Sequence, residues 1–485
     1  MASMVQGALV SIACAIALAP LAASVRSEPR AARGHAAAGV EPPTRWDVDA
    51  IDRYVAAQVK DKGYVGLSLA IVRDGKLAMS KTYGLRSRES GQPPSAETPF
   101  AVGSITKQFT CAALQILADE GKLSLDDHVS KYFPQLARAN EVTLADLASH
   151  TSGYPDYYPL DFLDERPQKA IKPDELLAKY AGGKLDFDPR TRWSYSNTGY
   201  VLLGRVIEKT TLMPLGLFFQ SRIFEPLGLA HTFYEPKEGT EGLAQGYVTF
   251  ALGDPEKAPR EASGWLGAAG GIWASATNLA MWDLSLMNAA IVKRDAWQRM
   301  ITPAVLADGR GTGYGCGLAV GLQEDELVVS HGGEVNGFLA SNTMIPRTKS
   351  AVILLANDEN VPLDDLRRAL VRLVIKATDA PPPSVRGPSA KEAARTVFVA
   401  MQSGAVDRAT LGADFNAYFT PAKAREAAAS LTPLGPPKRV EVVSTAERGG
   451  MEQTRVRIEC DKVTLRAIMF RSSDGLVQQF LIQRD

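Results

Sequence analysis

The sequence has few of the residues that build metal sites and disulfide frameworks. Its 485 residues include four cysteines and five histidines, with no Cys-x-x-Cys and no His-Glu-x-x-His segment. We therefore expect no disulfide framework, no dedicated metal site and no cofactor. Cys111, Cys316 and Cys460 lie in apolar stretches, where we expect them to be buried as small apolar side chains.

The chain also lacks an excess of charge of either sign. Its 54 lysine and arginine residues equal its 54 aspartate and glutamate residues. Proteins that bind nucleic acids or anionic membranes through electrostatics carry an excess of positive charge. We therefore expect a small-molecule or peptide substrate and no nucleic-acid partner. A hydrophobic content of 45% is ordinary for a globular protein, and the length predicts two or three domains.

One long apolar run stands at the amino end. Residues 8–23 are small and apolar, and no charge precedes Arg26. Such a run is short for a membrane span and typical of a signal peptide. We predict a signal peptide at residues 1–24, a disordered leader at residues 25–45 and a secreted or periplasmic mature protein without a stable membrane span. The start lacks the usual basic residue, so an uncleaved anchor and a misassigned start codon stay open as alternatives.

The order of apolar patterns predicts a mixed α/β (α+β) domain over residues 46–378. A helix begins near Asp47, and two β-rich runs flank Asp74-Gly75, which is a strong hairpin signal. Short helical patterns separated by turn residues fill residues 124–290. Strand patterns follow at residues 314–321, 326–331, 338–346 and 350–356, before a helical pattern at residues 362–377. We expect one antiparallel sheet built from both ends of the domain and flanked by helices, with a helical insertion.

A second, smaller domain is predicted after a proline-rich linker at residues 379–388. Residues 389–485 begin with an amphipathic helix and continue into strand patterns near residues 438–446, 453–460, 463–471 and 476–483. This pattern indicates a small α+β accessory domain with a distant similarity to cystatin-like and NTF2-like folds. It holds no catalytic constellation, so its role as a binding module, an active-site lid or a dimerisation element stays open.

The segment from Phe100 to Phe109 carries the most chemical information, because Ser104 and Lys107 are three residues apart in it. Residues at this spacing share one face of a helix, and a helix is predicted from Ser104 to about Glu120. A serine hydroxyl needs a neighbouring base to act as a nucleophile, and a lysine in a dry pocket can give up its proton. For an isolated Ser-x-x-Lys segment the alternative is an N-cap serine beside an exposed lysine.

Two later segments strengthen the catalytic interpretation. A loop that enters a helix carries Tyr195-x-Asn197, and the end of a strand carries His331-x-Gly333. In this order the three motifs resemble those of the penicillin-recognising serine hydrolases. The similarity is greatest to class C β-lactamases, streptomycete-type D-alanyl-D-alanine carboxypeptidases, and related esterases and D-aminopeptidases. It covers roughly residues 47–378 and implies a β-lactamase/transpeptidase-like fold.

The resemblance implies catalytic roles for three residues. Ser104 would be the acylated nucleophile, and Lys107 would be its charged or proton-sharing partner. Tyr195 would be the base that takes the Ser104 proton and returns it to the leaving group. That role requires Lys107 to lower the pKa of Tyr195 from its usual value of about 10.

The remaining motif residues would bind the substrate. Asn197 would orient the lysine and the substrate amide. His331 would help to hold the proton of the tyrosine and, with Gly333, would contact the substrate. The backbone N–H of Glu334 would form the oxyanion hole together with the N–H of the nucleophilic serine.

Two departures from the family pattern bear on the substrate. His331 stands where β-lactamases usually carry lysine, which leaves less fixed charge for a β-lactam carboxylate, and no Glu-x-x-Leu-Asn segment precedes it. The expected function is a serine hydrolase of D-amino-acid peptides, small esters or β-lactams. The alternative is a catalytically silent binding or scaffolding protein of the penicillin-binding type. His150, in a Ser-His-Thr-Ser-Gly segment, is expected to be structural and bonded to a backbone carbonyl.

Overall fold

The computed structural model describes residues 42–43, 45–158, 165–251, 253–376 and 384–484. The predicted signal peptide and nearly all of the predicted leader lie outside the described residues, as does the first half of the predicted linker. The chain divides into two compact units, with Asp47–Ile375 in the first and Lys376–Asp485 in the second. No helix in the described part of the chain is long and apolar enough to cross a bilayer.

The first unit alternates helices and strands. Its helices are α1 (Val48–Lys62), α2 (Thr106–Asp119), α3 (Leu144–Ala148), α4 (Pro173–Tyr180), α5 (Asn197–Thr211), α6 (Leu215–Phe219), α7 (Glu225–Leu227), α8 (Gly267–Gly270), α9 (Ala276–Met287), α10 (Arg294–Met300) and α11 (Leu363–Lys376). Its strands are β1 (Gly66–Arg73), β2 (Lys76–Gly84), β3 (Phe100–Ala101), β4 (Thr232–Tyr234), β5 (Tyr247–Val248), β6 (Glu256–Lys257), β7 (Ile272–Ala274), β8 (Ala319–Gln323), β9 (Glu326–Val335), β10 (Phe338–Ile345) and β11 (Ser350–Ala356).

A six-stranded antiparallel sheet forms the centre of this unit, with the strand order β2-β1-β11-β10-β9-β8. Two strands come from the beginning of the unit and four from its end, and β1 pairs with β11 so that Leu67 lies opposite Ala356. The predicted sheet, assembled from both ends of the domain, is confirmed. Helix α9 packs against β1 and β11, and α1 packs against β2.

The strand predicted at residues 314–321 begins later in the structure than the sequence pattern indicated. Regular pairing starts only at Ala319, and the preceding residues form a loop. Gly313 and Gly317 have φ values of 69° and 72°, which a strand does not contain. The short strands β3, β4 and β7, which form a small sheet, were not predicted, and the last two lie within the predicted helical region. Segments of two or three residues are too short to show an alternating pattern.

Helix α2 passes through the hydrophobic core of the first unit. All of its residues from Thr106 to Leu117 are buried. The ring of Phe109 stacks on the ring of Trp282, with 3.9 Å between the ring centroids. A helix buried on every side is held by the packing around it. The residues at its beginning therefore have fixed positions.

The second unit is a four-stranded antiparallel sheet with helices. It contains α12 (Ala390–Ser403), α13 (Ala413–Tyr418), α14 (Pro421–Leu431), β12 (Arg439–Arg448), β13 (Met451–Glu459), β14 (Thr464–Arg471) and β15 (Val477–Arg484). The strand order is β12-β13-β14-β15, and α12 packs against β12 and β13. The predicted first helix and four strands are confirmed, whereas α13 and α14 were not predicted. Buried Phe398, Val456 and Met469 belong to its separate core.

Candidate active site

Ser104 lies immediately before the buried helix. Gly103–Ile105 form one 3-10 turn that continues into α2, so the predicted start of the helix is confirmed within a residue or two. Gly103 has a φ of 50°, and a Cβ atom there would lie 2.7 Å from the backbone nitrogen of Glu334. Glycine is the residue that combines this backbone conformation with so close an approach. The turn thus packs the residue before Ser104 directly against the backbone of Glu334.

Lys107 is fully buried one turn after Ser104. Its Nζ atom lies 3.0 Å from Ser104 Oγ and donates hydrogen bonds to Asn197 Oδ1 and to the carbonyl oxygen of Ala269, each at 2.8 Å. Burial lowers the pKa of Lys107 from its ordinary value to about 7, against the opposing effect of the Asp156 carboxylate. Near neutral pH this lysine therefore exchanges between the ammonium and the neutral amine.

Asn197 is the first residue of α5 and is held by a carboxylate that the motifs do not include. Its backbone N–H donates to Asp156 Oδ1 at 3.0 Å, and its Nδ2 donates to Asp156 Oδ2 at 3.3 Å. Because Nδ2 is turned towards Asp156, the amide oxygen faces Lys107. Asp156 therefore fixes the orientation in which Asn197 can accept a hydrogen bond from the lysine.

Tyr195 has a buried hydroxyl without a well-formed hydrogen bond in the described part of the chain. Lys107 Nζ lies 4.8 Å from the centroid of its ring. Burial raises the pKa of Tyr195 well above 10, although the approach of the Ser104 hydroxyl acts in the opposite direction. The expectation that Lys107 lowers this pKa was wrong, because loss of hydration exceeds the favourable interactions. In this structure Tyr195 is a neutral phenol.

His331 lies on β9, and both of its ring nitrogens have partners. Its Nδ1 is hydrogen bonded to the carbonyl oxygen of Gly332, so Nδ1 carries the ring proton. Its Nε2 then accepts a hydrogen bond from the hydroxyl of Tyr314, at 2.8 Å. Burial and the charge of Lys107 lower the pKa of His331 to about 3.

The two hydrogen bonds of His331 bear on its expected contact with Tyr195. Its ring is 6.2 Å from the ring of Tyr195, measured between centroids. With both nitrogens engaged, the ring has no free lone pair for the proton of Tyr195 and no free N–H for a substrate. The side chain bonded to His331 is Tyr314, and a contact of His331 with substrate stays a prediction.

The backbone of β9 approaches the nucleophile turn closely after His331. A Cβ atom on Gly333 would lie 1.9 Å from the carbonyl oxygen of Val102, so only glycine fits. The side chain of Glu334 is exposed, while its backbone nitrogen packs against Gly103. Strand β8 pairs only with the first half of β9, up to Ser330. The second half of β9 is thus paired by β10 alone.

Cys111 and Cys316 form a disulfide, with their Cα atoms 5.6 Å apart. The expected burial of Cys111, Cys316 and Cys460 is confirmed, whereas the pairing of the first two was not predicted. A separation of 205 residues gave no local signal of the pairing. The bond joins α2 to the loop that carries Tyr314.

Two residues of the site were missed from the sequence. Asp156 follows the Ser-His-Thr-Ser-Gly segment at a short distance, and Tyr314 stands between two glycines, but neither belongs to a recognisable motif. His150 is buried and bonded to the backbone, although as an acceptor from an N–H group rather than as a donor to a carbonyl. No cluster of three or more potential metal ligands occurs among the residues that the structure describes.

A comparison with protein families decides the relationship. The model of the family described as Beta-lactamase matches residues 51–376, which is more than half of the chain. The chain belongs to the Beta-lactamase family. The resemblance drawn from the three motifs is confirmed, and the matched residues contain every member of the candidate site.

Individual relatives of the family are distant. "Beta-lactamase-like protein 2" from Dictyostelium discoideum is 26% identical over 316 residues, which cover 62% of this chain and 58% of that protein. A D-stereospecific amidohydrolase from Streptomyces has a TM-score of 0.58 and 27% identity, over 67% of this chain and 97% of its own. The octameric penicillin-binding protein homologue from Pyrococcus abyssi has a TM-score of 0.61 and 22% identity, over 90% of this chain and 100% of its own. The predicted fold class is therefore confirmed.

Proposed function

We propose that this protein is a serine hydrolase that forms an acyl-enzyme at Ser104, with neutral Lys107 as the base. The observation that carries the proposal is the set of three partners around Lys107 Nζ. A neutral amine has two N–H bonds and one lone pair. The oxygens of Asn197 and Ala269 take the two N–H bonds, which leaves the lone pair for the Ser104 hydroxyl at 3.0 Å.

Acylation then follows from this arrangement. Lys107 accepts the proton of Ser104 as Ser104 Oγ bonds to the acyl carbon of the substrate, and the carbonyl oxygen becomes an oxyanion. The N–H groups of Ser104 and Glu334 stabilise that oxyanion. A pKa of about 7 suits this role, because the free base is abundant near neutral pH and its conjugate acid still holds the proton.

Tyr195 acts on the leaving group. As a neutral phenol it donates its proton to the departing nitrogen or oxygen when the bond to the acyl carbon breaks. The ammonium of Lys107 then returns a proton to the phenolate, so the protons balance. In the second half of the reaction a water molecule takes the place of the leaving group, and the same transfers in reverse release the acid from Ser104.

The substrates proposed are amides and esters of D-amino acids. The D-stereospecific amidohydrolase is a neighbour that shares 27% identity and most of its length with this chain, which supports this class. The neutral ring of His331 offers no cation to a substrate carboxylate, so hydrolysis of β-lactams and of peptides with a free terminal carboxylate would be slower. We further propose that the predicted signal peptide directs the protein to the periplasm or out of the cell.

Labelling with active-site probes tests the proposal. A fluorescent fluorophosphonate and a fluorescent penicillin should label the wild type, and Ser104→Ala should abolish labelling. Ser221→Ala, at an exposed serine bonded to the backbone of α6, is the matched control and should label normally. Labelling that survives in Ser104→Ala would refute the assignment. Absence of labelling in every variant would favour the binding-protein alternative.

Turnover of three substrates would then establish the preference. A p-nitrophenyl ester of a D-amino acid, a D-alanyl-D-alanine peptide and nitrocefin present an ester, a terminal carboxylate and a β-lactam. The ester should be the best substrate of the three. Faster hydrolysis of nitrocefin would contradict the argument from the charge of His331.

A further inference from the structure

His150 holds the chain on both sides of Tyr195. Its carbonyl oxygen accepts a hydrogen bond from the N–H of Ser194 at 3.0 Å. Its Nδ1 accepts a hydrogen bond from the N–H of Ser196 at 3.1 Å. Tyr195 is the single residue between these two anchor points. Both ends of its backbone are therefore tied to one residue that lies 45 positions earlier in the chain.

The ring of His150 also packs against the phenol itself. The centroids of the two rings are 4.2 Å apart, and the rings are tilted by 36°. Tyr314, Tyr200 and Trp193 surround the same imidazole, at centroid distances of 4.8, 5.2 and 5.9 Å. His150 is only 1% exposed. It therefore forms a wall against which the Tyr195 ring rests.

The protonation state of His150 is compatible with this contact. Since Nδ1 accepts a hydrogen bond from a backbone N–H, the ring proton is on Nε2, which has no partner among the described residues. Burial lowers the pKa of His150 well below its usual value, and the positive charge of Lys107 and the nearby His331 act in the same direction. The imidazole thus stays neutral, and Nδ1 stays available as an acceptor.

The backbone of His150 adopts an uncommon conformation. Its φ is 61°, in the left-handed region that few residues other than glycine occupy. Such a conformation persists where the surrounding contacts determine it, and it is frequent near functional sites. Here the contacts include the two hydrogen bonds to the neighbours of Tyr195 and a hydrogen bond from the N–H of His150 to the carbonyl oxygen of Leu147.

We propose that His150 is a positioning residue that fixes the hydroxyl of Tyr195 for proton transfer to the leaving group. It acts through its carbonyl oxygen, its Nδ1 acceptor and the face of its ring. This inference rests on the proposed function, in which Tyr195 is the acid. It adds a requirement that none of the three motifs contains, because His150 itself does not touch the reacting atoms.

Two substitutions of His150 differ in whether they keep a hydrogen-bond acceptor for the N–H of Ser196. In His150→Asn the amide oxygen occupies the place of Nδ1, and asparagine accepts left-handed backbone conformations, so the anchor at Ser196 is kept. In His150→Leu the acceptor is lost. His231, a half-exposed histidine beside Glu97, gives the matched controls His231→Asn and His231→Leu. Both control variants should behave as the wild type.

The readout uses two esters of the same acid. The leaving group of p-nitrophenyl butyrate departs without a proton, whereas the ethoxide of ethyl butyrate needs one. A displaced Tyr195 therefore slows the second reaction more than the first. His150→Leu should lower kcat/KM for ethyl butyrate by about 100-fold and for p-nitrophenyl butyrate by less than about tenfold. This ratio reports acylation and is independent of the later hydrolysis of the butyryl-enzyme that both esters form. His150→Asn should be at least about tenfold more active than His150→Leu on ethyl butyrate.

Three results would overturn the inference. They are an equal loss on both esters, an asparagine variant no better than the leucine variant, and a leucine variant as active as the wild type. If His150→Leu does not fold, His150→Asn tests the positioning role by itself. Its ratio of kcat/KM for ethyl butyrate to kcat/KM for p-nitrophenyl butyrate should stay within about tenfold of the wild type, and a larger fall would contradict the role of the acceptor. A wild type that neither probe labels would instead refute the proposed function.

Discussion

The beginning of α2 and the loop before α5 place two titratable side chains in the same dry site, and burial affects them in opposite ways. Lys107 loses hydration of its charged form, and its pKa falls to about 7. Tyr195 also loses hydration of its charged form, and its pKa rises well above 10. For a cation, desolvation favours the base, and for a phenol it favours the acid. This difference is the reason why we propose the lysine as the base and the tyrosine as the acid.

The largest expected effect comes from removing the amine. Lys107→Met keeps the length of the side chain in the buried channel but has no lone pair of nitrogen beside Ser104. We expect the rate of fluorophosphonate labelling to fall by at least about 10³-fold, because the serine is left without its base. Lys131→Met, which removes an exposed ion pair with Asp127, is the control. A fall of less than about tenfold in Lys107→Met would mean that another group is the base.

The next effect comes from removing the phenol. Tyr195→Phe should lower kcat/KM, which reports acylation, by about 100-fold for ethyl butyrate and much less for p-nitrophenyl butyrate, because only the first leaving group needs a proton. Turnover of the two esters by wild type and variant checks this expectation. An equal loss on both esters would contradict the assignment of Tyr195 as the acid.

A smaller effect is expected at Asp156, which acts through Asn197 and Lys107. Its carboxylate raises the pKa of Lys107, so Asp156→Asn should shift the acid limb of the pH profile of kcat/KM to lower pH. The value of kcat/KM at neutral pH should fall by about tenfold or less, since Asn197 loses the partner that orients it. Asp174→Asn, at an exposed carboxylate bonded to Arg205, is the control. A shift towards higher pH would contradict the interpretation.

The smallest effect on turnover is expected at Tyr314. Tyr314→Phe leaves the buried Nε2 of His331 without a donor, which should lower the free energy of unfolding by about 1–3 kcal/mol. Because neither Tyr314 nor His331 takes part in the proposed proton transfers, kcat should change by less than about threefold. Urea denaturation and p-nitrophenyl butyrate turnover measure the two quantities. A large loss of kcat with unchanged stability would support a direct role for His331.

Local patterns predicted part of the candidate site, and the resemblance of the three motifs to a known family implied the rest. Ser104 and Lys107 share a helix face through their spacing alone. The predicted strand near His331 and the predicted hairpin at Asp74-Gly75 follow from alternation and turn chemistry. The assembly of one sheet from both ends of the domain follows from the position of the strand patterns in the chain, whereas the order of its strands was not predicted. For these features local patterns were sufficient.

Features that depend on distant packing could not be predicted in the same way. The disulfide between Cys111 and Cys316 and the hydrogen bond between Tyr314 and His331 join segments without a shared motif. The direction of the pKa shift of Tyr195 depends on how much water the folded chain excludes. The sequence shows that a charged lysine belongs to the same set of motifs as Tyr195, but it does not show how deeply Tyr195 is buried. Burial has the larger effect on the pKa of Tyr195.

The pH dependence of acylation tests the central claim most directly. The rate of labelling by a fluorophosphonate should rise with pH through an apparent pKa near 7, as Lys107 loses its proton. The same limb should remain in Tyr195→Phe, since the phenol does not supply the base. A limb near pH 10 in the wild type, or the loss of the limb in Tyr195→Phe, would show that the tyrosine rather than the lysine deprotonates Ser104.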